Sequence, residues 1–366
     1  MNLTEIELRN FRNYEYAKLE FDPGVNLIVG DNAQGKTNLL EAIGYLGSGK
    51  SFRAQKTSEM VRFQADFADI EGTVQAQERL QKLRWVLFNG SRPRQIWRNG
   101  VKKKTAGELA GVLPTVLFCP EDLMVLKTGA AQRRRLGDHA LCQLRPNYDA
   151  ALTEYNRILD QKSRILKDHF DNPAVLEILP EYNTRLCQVG ALLISYRARF
   201  YDSLGKSAGK FHGQFSGGAE AFTLSYKTVS TVNDPFAPVA QLTEQLLDHL
   251  QRHYRAELET GQCLTGPHKD DFSVALSGID LKAYGSQGQT RTAAISLKLA
   301  QRELMGREMG EEPVLLLDDV LSELDPGRQD FVLNQIVSGQ VFITCCEPGR
   351  FTKLGKTIEI QKGNVN

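Results

Sequence analysis

The chain has 366 residues, of which 41% are hydrophobic and 24% are charged, and its formal net charge is +1. This length suffices for one large α/β domain with an insertion or for two or three smaller domains, and the composition is typical of soluble globular proteins. The balanced charge excludes a surface that is basic throughout, so any DNA-binding surface must be a local patch.

The sequence does not indicate membrane insertion or secretion. No apolar run approaches the roughly 18 residues of a membrane-spanning helix, and the residues after Met1 do not resemble a signal peptide. The six cysteines form no C-x-x-C pair, although Cys345 and Cys346 are adjacent. We interpret them as small buried side chains in a reducing compartment, and we expect a cytoplasmic protein without a membrane partner.

Strands are predicted at the start of the chain, and they lead into a glycine-rich loop. Apolar residues alternate within residues 3–21, and an apolar run at residues 25–29 follows the turn signal Asp22-Pro23-Gly24. The next eight residues fit the pattern G-x-x-x-x-G-K-[ST] at every position, and a helix-like run begins at Asn38. The eight residues are Gly30, Asp31, Asn32, Ala33, Gln34, Gly35, Lys36 and Thr37.

This pattern predicts a P-loop that binds ATP and Mg²⁺. In such a loop, backbone N–H groups surround a phosphate, and the start of the following helix adds partial positive charge. We expect Lys36 to contact the β- and γ-phosphates, Thr37 to ligate Mg²⁺, and Asn38 to belong to the ATP-binding segment. The alternative is a glycine-rich turn before an ordinary helix.

Two residues upstream of the loop are further candidates. Arg12 could contact a phosphate group and Tyr14 the adenine ring, because the strand they belong to leads toward the loop. They could equally belong to a solvated strand end. We include Arg12 among the candidate ATP-binding residues.

Basic residues are clustered in several predicted turns and in one helix. Asn89-Gly90 and Asn99-Gly100 are candidate hairpin turns, and arginines lie between them. Such clusters suit contacts with a phosphate backbone, but soluble hairpins with charged tips have the same appearance. The candidate DNA contacts are Arg53, Lys56, Arg92, Arg94, Arg133, Arg134 and Arg135.

A helical insertion is predicted in the middle of the chain. From about residue 147 to residue 258 the apolar residues recur with the helical period and form three stripes. Residues 209–238 are predicted as loops with a short strand at residues 221–227. Strand and loop character resumes at Thr265. We therefore predict one lobe from residues 1–120 and 265–366 and a mainly helical lobe from residues 121–264, with helices of only about 15 to 25 residues.

A serine-glycine segment precedes the last long helical pattern. A serine and a glycine at the start of a helix form an anion-binding terminus, although alone they indicate only a capped helix. The segment consists of Ser286, Gln287, Gly288 and Gln289.

Two acidic residues follow a buried strand further along the chain. The apolar residues 313–317 end in Asp318 and Asp319, as a Walker B motif requires. Asp318 is expected to lie beside Thr37 and to hold Mg²⁺ through water, and Asp319 to orient or deprotonate the attacking water. With Lys36, Asp319 is the candidate catalytic residue.

The order of these segments resembles the ATP-binding-cassette architecture. Residues 286–289 correspond to its signature motif, and Ser322 and Asp325 to its D-loop. In that family the signature serine and glycine complete the ATP site of the opposite subunit, so the resemblance implies a head-to-tail homodimer. Gln287 at the first glycine position and Asp319 in place of glutamate argue against fast, transporter-like hydrolysis.

Five segments together closely resemble the RecF family, bacterial recombination and gap-repair ATPases related to the SMC proteins. This resemblance implies an α/β fold: an ABC-type, SMC-like ATPase head with an inserted helical lobe and no long coiled coil. It also implies ATP-dependent dimerisation, binding to double-stranded and gapped DNA, weak DNA-dependent ATP hydrolysis, and RecA loading with RecO and RecR. The segments are residues 8–14, 30–37, 118–123, 265–271 and 315–325.

Two other functions remain possible from the sequence. An ATPase subunit of a membrane transporter would share the P-loop and the Walker B acids, although the helical lobe and Gln287 count against it. A scaffold that binds ATP without hydrolysing it would share them too. DNA-stimulated ATP turnover would separate the repair function from both.

Overall fold

The structure is a computed structural model that describes residues 1–76, 79–336, 338–346 and 349–365. It divides into two compact units, one comprising Met1–Met124 and Ala294–Asn366 and the other Val125–Ala293. Among the described residues, no helix is long and apolar enough to cross a membrane.

The described elements are fifteen strands and eight α-helices. The strands are β1 (Asn2–Phe11), β2 (Tyr14–Glu20), β3 (Val25–Val29), β4 (Phe67–Ala76), β5 (Arg79–Phe88), β6 (Gln95–Arg98), β7 (Val101–Lys103), β8 (Thr115–Phe118), β9 (Phe222–Lys227), β10 (Asp271–Leu276), β11 (Ile279–Asp280), β12 (Val314–Leu317), β13 (Val341–Cys345), β14 (Lys356–Gln361) and β15 (Asn364–Val365). The helices are α1 (Lys36–Ser48), α2 (Ala130–Leu144), α3 (Pro146–Asp168), α4 (Leu179–Ser216), α5 (Val239–Thr260), α6 (Leu281–Tyr284), α7 (Gln287–Met309) and α8 (Pro326–Gln335).

The first unit is built from two six-stranded sheets with α1 packed in their common core. One sheet is antiparallel, with the order β2-β1-β4-β5-β6-β7, and the other has the order β15-β14-β3-β13-β12-β8. Strands β14, β3, β13, β12 and β8 are parallel to one another, and β15 pairs with β14 in the antiparallel direction. Leu39 and Ile43 of α1 share one apolar cluster with Trp85 of the first sheet and Phe342 of the second. The predicted α/β fold class is confirmed.

The second unit combines helices with a small antiparallel sheet. Helices α3, α4 and α5 lie in it, and the sheet has the order β11-β10-β9. Strand β10 pairs with β9 along its whole length, from Asp271 opposite Lys227 to Leu276 opposite Phe222. Because of this pairing, residues 265–293, for which the sequence pattern predicts a place in the ATPase lobe, belong to the second compact unit.

Helix α4 is longer than the sequence indicated. It has 38 residues and ends at Ser216 with Gly217 as its C-cap, so residues 209–216 are helical where loops were predicted. Two glycines of this helix face strand β9. A Cβ atom on Gly205 would lie 3.0 Å from the Cβ atom of Leu224 in β9, and one on Gly209 would lie 3.6 Å from the carbonyl oxygen of Phe222. Small residues at these positions let the helix approach the strand closely.

Residues 265–271 anchor the second unit through buried polar contacts. Asp270 is 1% exposed and forms an ion pair with Arg197 at 2.9 Å. Arg197 also pairs with Asp138 at 2.9 Å, while Asp271 pairs with Arg133 at 2.6 Å. The acidic residues of this segment therefore have partners in the fold itself.

The stability of the second unit should depend on pH through His268. Its Nδ1 atom lies 2.7 Å from the Tyr155 hydroxyl oxygen and its Nε2 atom 3.0 Å from the Cys263 carbonyl oxygen. Burial lowers the pKa of His268 from 6.5 to about 4. The unfolded chain therefore takes up a proton that the folded ring does not, so stability is full above pH 6.5 and falls as the pH decreases toward 4.

The expected loss is about 2–3 kcal/mol in the free energy of unfolding. Urea unfolding of the protein and of a His268→Gln variant, each at neutral pH and at about pH 4.5, measures it. The variant should lose less stability on acidification than the unsubstituted protein. An equal loss in both would show that another group is responsible.

Replacing Glu257 with glutamine should destabilise the second unit. Lys162 of α3 and Glu257 of α5 form an ion pair at 2.7 Å, and both side chains are fully buried. The substitution leaves a buried ammonium group without its counter-charge, which typically costs about 3–5 kcal/mol in the free energy of unfolding.

Urea unfolding followed by circular dichroism measures this effect. Glu259→Gln is the matched control, because Glu259 lies two residues further along α5 in an exposed pair with Arg255. The control should change the free energy of unfolding by less than about 1 kcal/mol. Similar effects of the two substitutions would contradict the prediction.

Candidate nucleotide-binding site

The predicted P-loop connects the carboxyl end of β3 to the start of α1. Lys36 is the first residue of α1 and is only 4% exposed. Its Nζ atom donates to the carbonyl oxygens of Gly30 at 2.6 Å and Asp31 at 3.1 Å. The loop thus curls around the ammonium group and holds a positive charge at its centre.

Both glycines of the motif are required by close contacts. A Cβ atom on Gly30 would lie 2.3 Å from the carbonyl oxygen of Ile360 in β14. Gly35 has a φ of 122°, and a Cβ atom there would lie 2.7 Å from Asn13 Nδ2. A side chain at either position would displace the backbone of the loop.

The turn between β1 and β2 supports the loop from behind. Asn13 Nδ2 donates to the Gln34 carbonyl oxygen at 2.8 Å, and the Tyr14 hydroxyl group donates to that of Gly35 at 2.9 Å. Tyr14 is fully buried. It therefore acts as a support for the loop, and not as the exposed ring that an adenine would stack on.

The second sheet brings the Walker B residues to the P-loop. Strand β13 pairs with both β3 and β12, so the carboxyl ends of the three strands are adjacent. Asp318 follows β12, and its Oδ1 atom accepts hydrogen bonds from Thr37 Oγ1 at 2.9 Å and Thr344 Oγ1 at 3.1 Å. Burial raises the pKa of Asp318, and these two hydrogen bonds offset part of the effect. A hydroxyl and a carboxylate oxygen this close together are ligands that suit Mg²⁺.

Asp319 has an unusual backbone conformation beside this pair. Its φ is 51°, in the left-handed region, and its N–H group donates to Thr344 Oγ1 at 2.7 Å. Strained residues of this kind are concentrated at functional sites. The Asp319 side chain points to the same cavity as the P-loop.

An open cavity of about 320 Å³ contains the predicted nucleotide-binding residues. A cavity of this volume suits a nucleotide, and its lining combines the backbone of the loop with charged side chains. Gly30 lies at the back of the loop and is not part of the lining. The lining residues are Asp31, Asn32, Ala33, Gln34, Gly35, Lys36, Thr37, Asn38, Arg53 and Asp319.

Arg12 does not line the cavity but binds Glu41 of α1. Its Nε and Nη2 atoms both donate to the Glu41 carboxylate at 2.8 Å, and Nη1 donates to the Glu59 carbonyl oxygen at 2.6 Å. The Glu41 side chain is fully buried. Arg12 therefore neutralises a buried carboxylate, a role that its position in the sequence did not reveal.

Two further side chains near the cavity could not be predicted from the sequence. Arg53, considered in the sequence analysis as a DNA contact, lines the cavity, and its Nη1 atom donates to Asn38 Oδ1 at 3.0 Å. Its charge can thus face an anionic ligand. The thiol of Cys346 lies 3.4 Å from Lys36 Nζ and 3.0 Å from Asn32 Oδ1. Neither spacing nor periodicity signals these positions, because both depend on how the chain folds back.

Residues 286–289 form a reciprocal cap at the start of α7 in the second unit. Ser286 Oγ accepts from the Gln289 N–H group at 3.2 Å, and Gln289 Oε1 accepts from the Ser286 N–H group at 3.1 Å. This is the capping box S-x-x-Q. Ser286 and Gln287 are exposed, and Gly288 is half-buried.

The predicted D-loop residues are exposed in the first unit. Ser322 Oγ donates to the Asp319 carbonyl oxygen at 2.6 Å, and Asp325 caps α8 by accepting from the Arg328 N–H group at 3.1 Å. Ser322 is thus linked directly to the backbone of the strained Asp319.

The candidate DNA contacts differ in whether their side chains are exposed or already bound within the protein. Arg94 donates to the Tyr45 hydroxyl oxygen at 2.8 Å, and Arg133 is 1% exposed and bound to Asp271 at 2.6 and 2.9 Å. Arg134 donates to a backbone carbonyl oxygen at 2.7 Å. The exposed candidates are Arg53, Lys56, Arg92 and Arg135.

Comparisons with known proteins identify the family to which the chain is similar. The family model described as RecF/RecN/SMC N terminal domain matches residues 2–365. The DNA replication and repair protein RecF of Agathobacter rectalis is 39% identical over 100% of this chain and 99% of its own. That of Desulforamulus reducens is 39% identical over 94% of this chain and 92% of its own.

Solved structures show the same fold. The recombination mediator protein RecF-ATPrS in the RecFOR pathway has a TM-score of 0.92 and 35% identity, covering 100% of this chain and 97% of its own. The corresponding RecF-ATP structure has a TM-score of 0.90 and 36% identity over 100% and 96%. An Smc head domain from Pyrococcus furiosus, at 16% identity and a TM-score of 0.55 over 100% and 95%, shares the fold alone.

Proposed function

Because the chain belongs to the RecF family, we propose that it is an ATP-driven switch that acts on DNA during recombinational gap repair. Its fold is the SMC-like ATPase head with an inserted helical lobe, and the part of the chain that the structure describes contains no long coiled coil. The observation that carries the proposal is the 2.9 Å contact between Thr37 and Asp318, residues 281 positions apart, beside the P-loop lysine. The P-loop and the strained Asp319 line one open cavity, and Asp318 is bound to Thr37 of that lining, an arrangement suited to nucleotide hydrolysis.

The residues of the cavity have complementary roles in this proposal. The N–H groups of residues 30–38 and the Lys36 ammonium group bind the phosphates of ATP. Thr37 and Asp318 would hold Mg²⁺, which would neutralise charge on the phosphate oxygens when bound. Asp319 accepts the proton of the attacking water, and Arg53 adds positive charge to the cavity wall.

The exposed residues suggest how ATP controls assembly. Ser286 and Gly288 reach the nucleotide of a second subunit, with Gln287 and Gln289 beside them, so that ATP joins two subunits head to tail. Ser322 and Asp325 lie at the same interface and connect it to Asp319. The closed dimer holds double-stranded DNA or a gap edge, and slow hydrolysis releases it.

The partners follow from the family. Curated relatives are described as DNA replication and repair proteins, and the solved RecF structures are described within the RecFOR pathway. We propose that this chain works in the cytoplasm with RecO and RecR to load RecA. Because these relatives match along the whole chain, they give no support to the alternative that the protein is an ATPase subunit of a membrane transporter.

ATP turnover with and without a gapped DNA duplex tests this function. At low salt the duplex should stimulate turnover, and the stimulation should fade as salt rises, because phosphate contacts release counterions. Substituting the exposed Lys56 and Arg92 with alanine should weaken the stimulation and reduce its salt dependence. Turnover that ignores DNA at every salt concentration would overturn the proposed DNA role.

A further inference from the structure

A hydrogen-bonded chain connects the exposed segment 286–289 to a buried histidine in the second unit. Gln289 Nε2 donates to Glu220 Oε1 at 2.8 Å. The other oxygen of the same carboxylate, Oε2, lies 2.9 Å from His212 Nε2. His212 belongs to the last turns of α4 and is fully buried, while Glu220 follows in the connection to β9.

The two ends of the Gln289 amide are fixed by different partners. Its Oε1 atom accepts from the Ser286 N–H group at 3.1 Å, and its Nε2 atom donates to Glu220. A glutamine side chain loses about 1.5–2 kcal/mol of conformational entropy when it is ordered, so a single contact would hold it poorly. Opposed contacts at the two ends select one orientation of the amide and close the capping box.

Closing the box determines what Ser286 presents to solvent. Its oxygen accepts from the Gln289 N–H group at 3.2 Å, which leaves the hydroxyl hydrogen able to donate outward. If the Gln289 side chain rotated away, the Ser286 N–H group would lose its acceptor, and one half of the capping box that holds Ser286 would be lost. The exposed serine is therefore only as well placed as the glutamine behind it.

Glu220 is itself held in a defined state. Hydrogen bonds from Gln289 and then from His212 lower the pKa of its carboxyl group, so it is an anion at neutral pH. Within the described part of the chain, His212 Nδ1 is buried without a hydrogen-bond partner, so the contact with Glu220 fixes the ring.

The geometry points to Glu220, held by His212, as a positioning residue for the segment 286–289: it orients Gln289 and thereby Ser286 for contact with the nucleotide of a second subunit. This inference rests on the proposed head-to-tail pairing. Neither His212 nor Glu220 touches the nucleotide in this arrangement. Their effect on pairing passes entirely through Gln289.

The test is ATP-dependent pairing of the full chain, measured by sedimentation over a range of protein concentrations. Glu220→Ala should raise the concentration for half-maximal pairing at least about tenfold, because the contact that orders Gln289 is lost at each of two sites. The affinity of the monomer for a fluorescent ATP analogue should stay within about twofold. If Glu220→Ala reached half-maximal pairing at the same protein concentration as the unsubstituted protein, the inference would be overturned.

A double-substitution cycle separates positioning from general stability. Gln289→Ala should weaken pairing, and adding Glu220→Ala to it should cause no further loss if Glu220 acts through Gln289. If the two substitutions together weakened pairing by the product of their separate effects, Glu220 would not act through Gln289. Glu220→Gln retains an acceptor for Gln289 and should pair within about threefold of the unsubstituted protein. A glutamine variant as weak as the alanine variant would also overturn the inference.

Two reference variants complete the design. Glu259→Ala removes a carboxylate of the same unit from an exposed pair on α5, and its pairing should be unchanged. Ser286→Arg should block pairing without affecting ATP binding by the monomer. If Ser286→Arg pairs normally, the proposed head-to-tail site is wrong. If it blocks pairing while Glu220→Ala does not, only the role of Glu220 is wrong.

Discussion

Replacing Lys36 with methionine should abolish ATP-dependent pairing of the protein. Lys36 Nζ lies between two carbonyl oxygens at the centre of the loop, where the phosphates are expected. Methionine fits the same buried channel but carries no charge. A hydrogen bond to a charged group contributes about 1.5–3 kcal/mol, so ATP affinity should fall at least about 10- to 100-fold. Pairing should fail with it, since the nucleotide is the element that joins the subunits.

Light scattering with and without ATP measures the mass, and titration with a fluorescent ATP analogue measures the affinity. Lys82→Met is the matched control, because Lys82 pairs with Glu71 on the exposed face of the antiparallel sheet. The control should bind ATP and double its mass as the unsubstituted protein does. If Lys36→Met still doubled its mass with ATP, the role assigned to the P-loop would be wrong.

The nucleotide cavity was predictable where its parts are local patterns. The eight loop residues and the two acids after β12 follow from fixed spacing and from the apolar strands before them. Parallel strands that share a sheet bring their carboxyl ends to one edge, so the meeting of Thr37 with Asp318 could also be expected. The contact by which Tyr14 supports the loop could not be predicted, because it depends on how the turn between β1 and β2 lies against the loop in the folded chain.

The positions of charged residues in the sequence did not predict which of their side chains are exposed. Arg133 and Arg135 belong to the same basic run, yet the first is 1% exposed and bound to Asp271 while the second is exposed. Successive residues of a helix point about 100° apart, so neighbours in a run face different surroundings. The run alone therefore could not separate a buried ion pair from a DNA contact. The sequence could not show the partner of Arg12 either, because Arg12 lies in the turn between β1 and β2 and Glu41 is 29 residues further along the chain.

The boundary of the inserted lobe depended on long-range pairing. Periodicity identified its helices but not the length of α4, because glycine lowers helix propensity and three glycines lie near the end of this helix. The contacts of Gly205 and Gly209 with β9 arise only when the helix and the strand pack together. Likewise, residues 265–293 look like a return to strand and loop, and only the pairing of β10 with β9 assigns them to the second unit.

Replacing Asp319 with asparagine should stop ATP turnover while sparing ATP binding. Asparagine tolerates the left-handed conformation at a φ of 51°, and residue 319 donates to Thr344 Oγ1 through its backbone N–H group, which the substitution leaves in place. The fold and the cavity should therefore persist. An amide cannot accept the proton of the attacking water, and the loss of a general base typically lowers the rate about 10²- to 10⁴-fold.

Phosphate release measures turnover, and the fluorescent ATP analogue measures binding, which should stay within about twofold. Because the variant binds ATP without hydrolysing it, ATP-induced dimers should persist longer than those of the unsubstituted protein. Asp202→Asn is the matched control, since Asp202 forms an exposed pair with Lys206 and should leave turnover unchanged. Unchanged turnover in Asp319→Asn would instead favour a scaffold that binds ATP without using this residue. The persistence of the dimers distinguishes a switch reset by hydrolysis from one reset by nucleotide dissociation, because only the former depends on the Asp319 carboxylate.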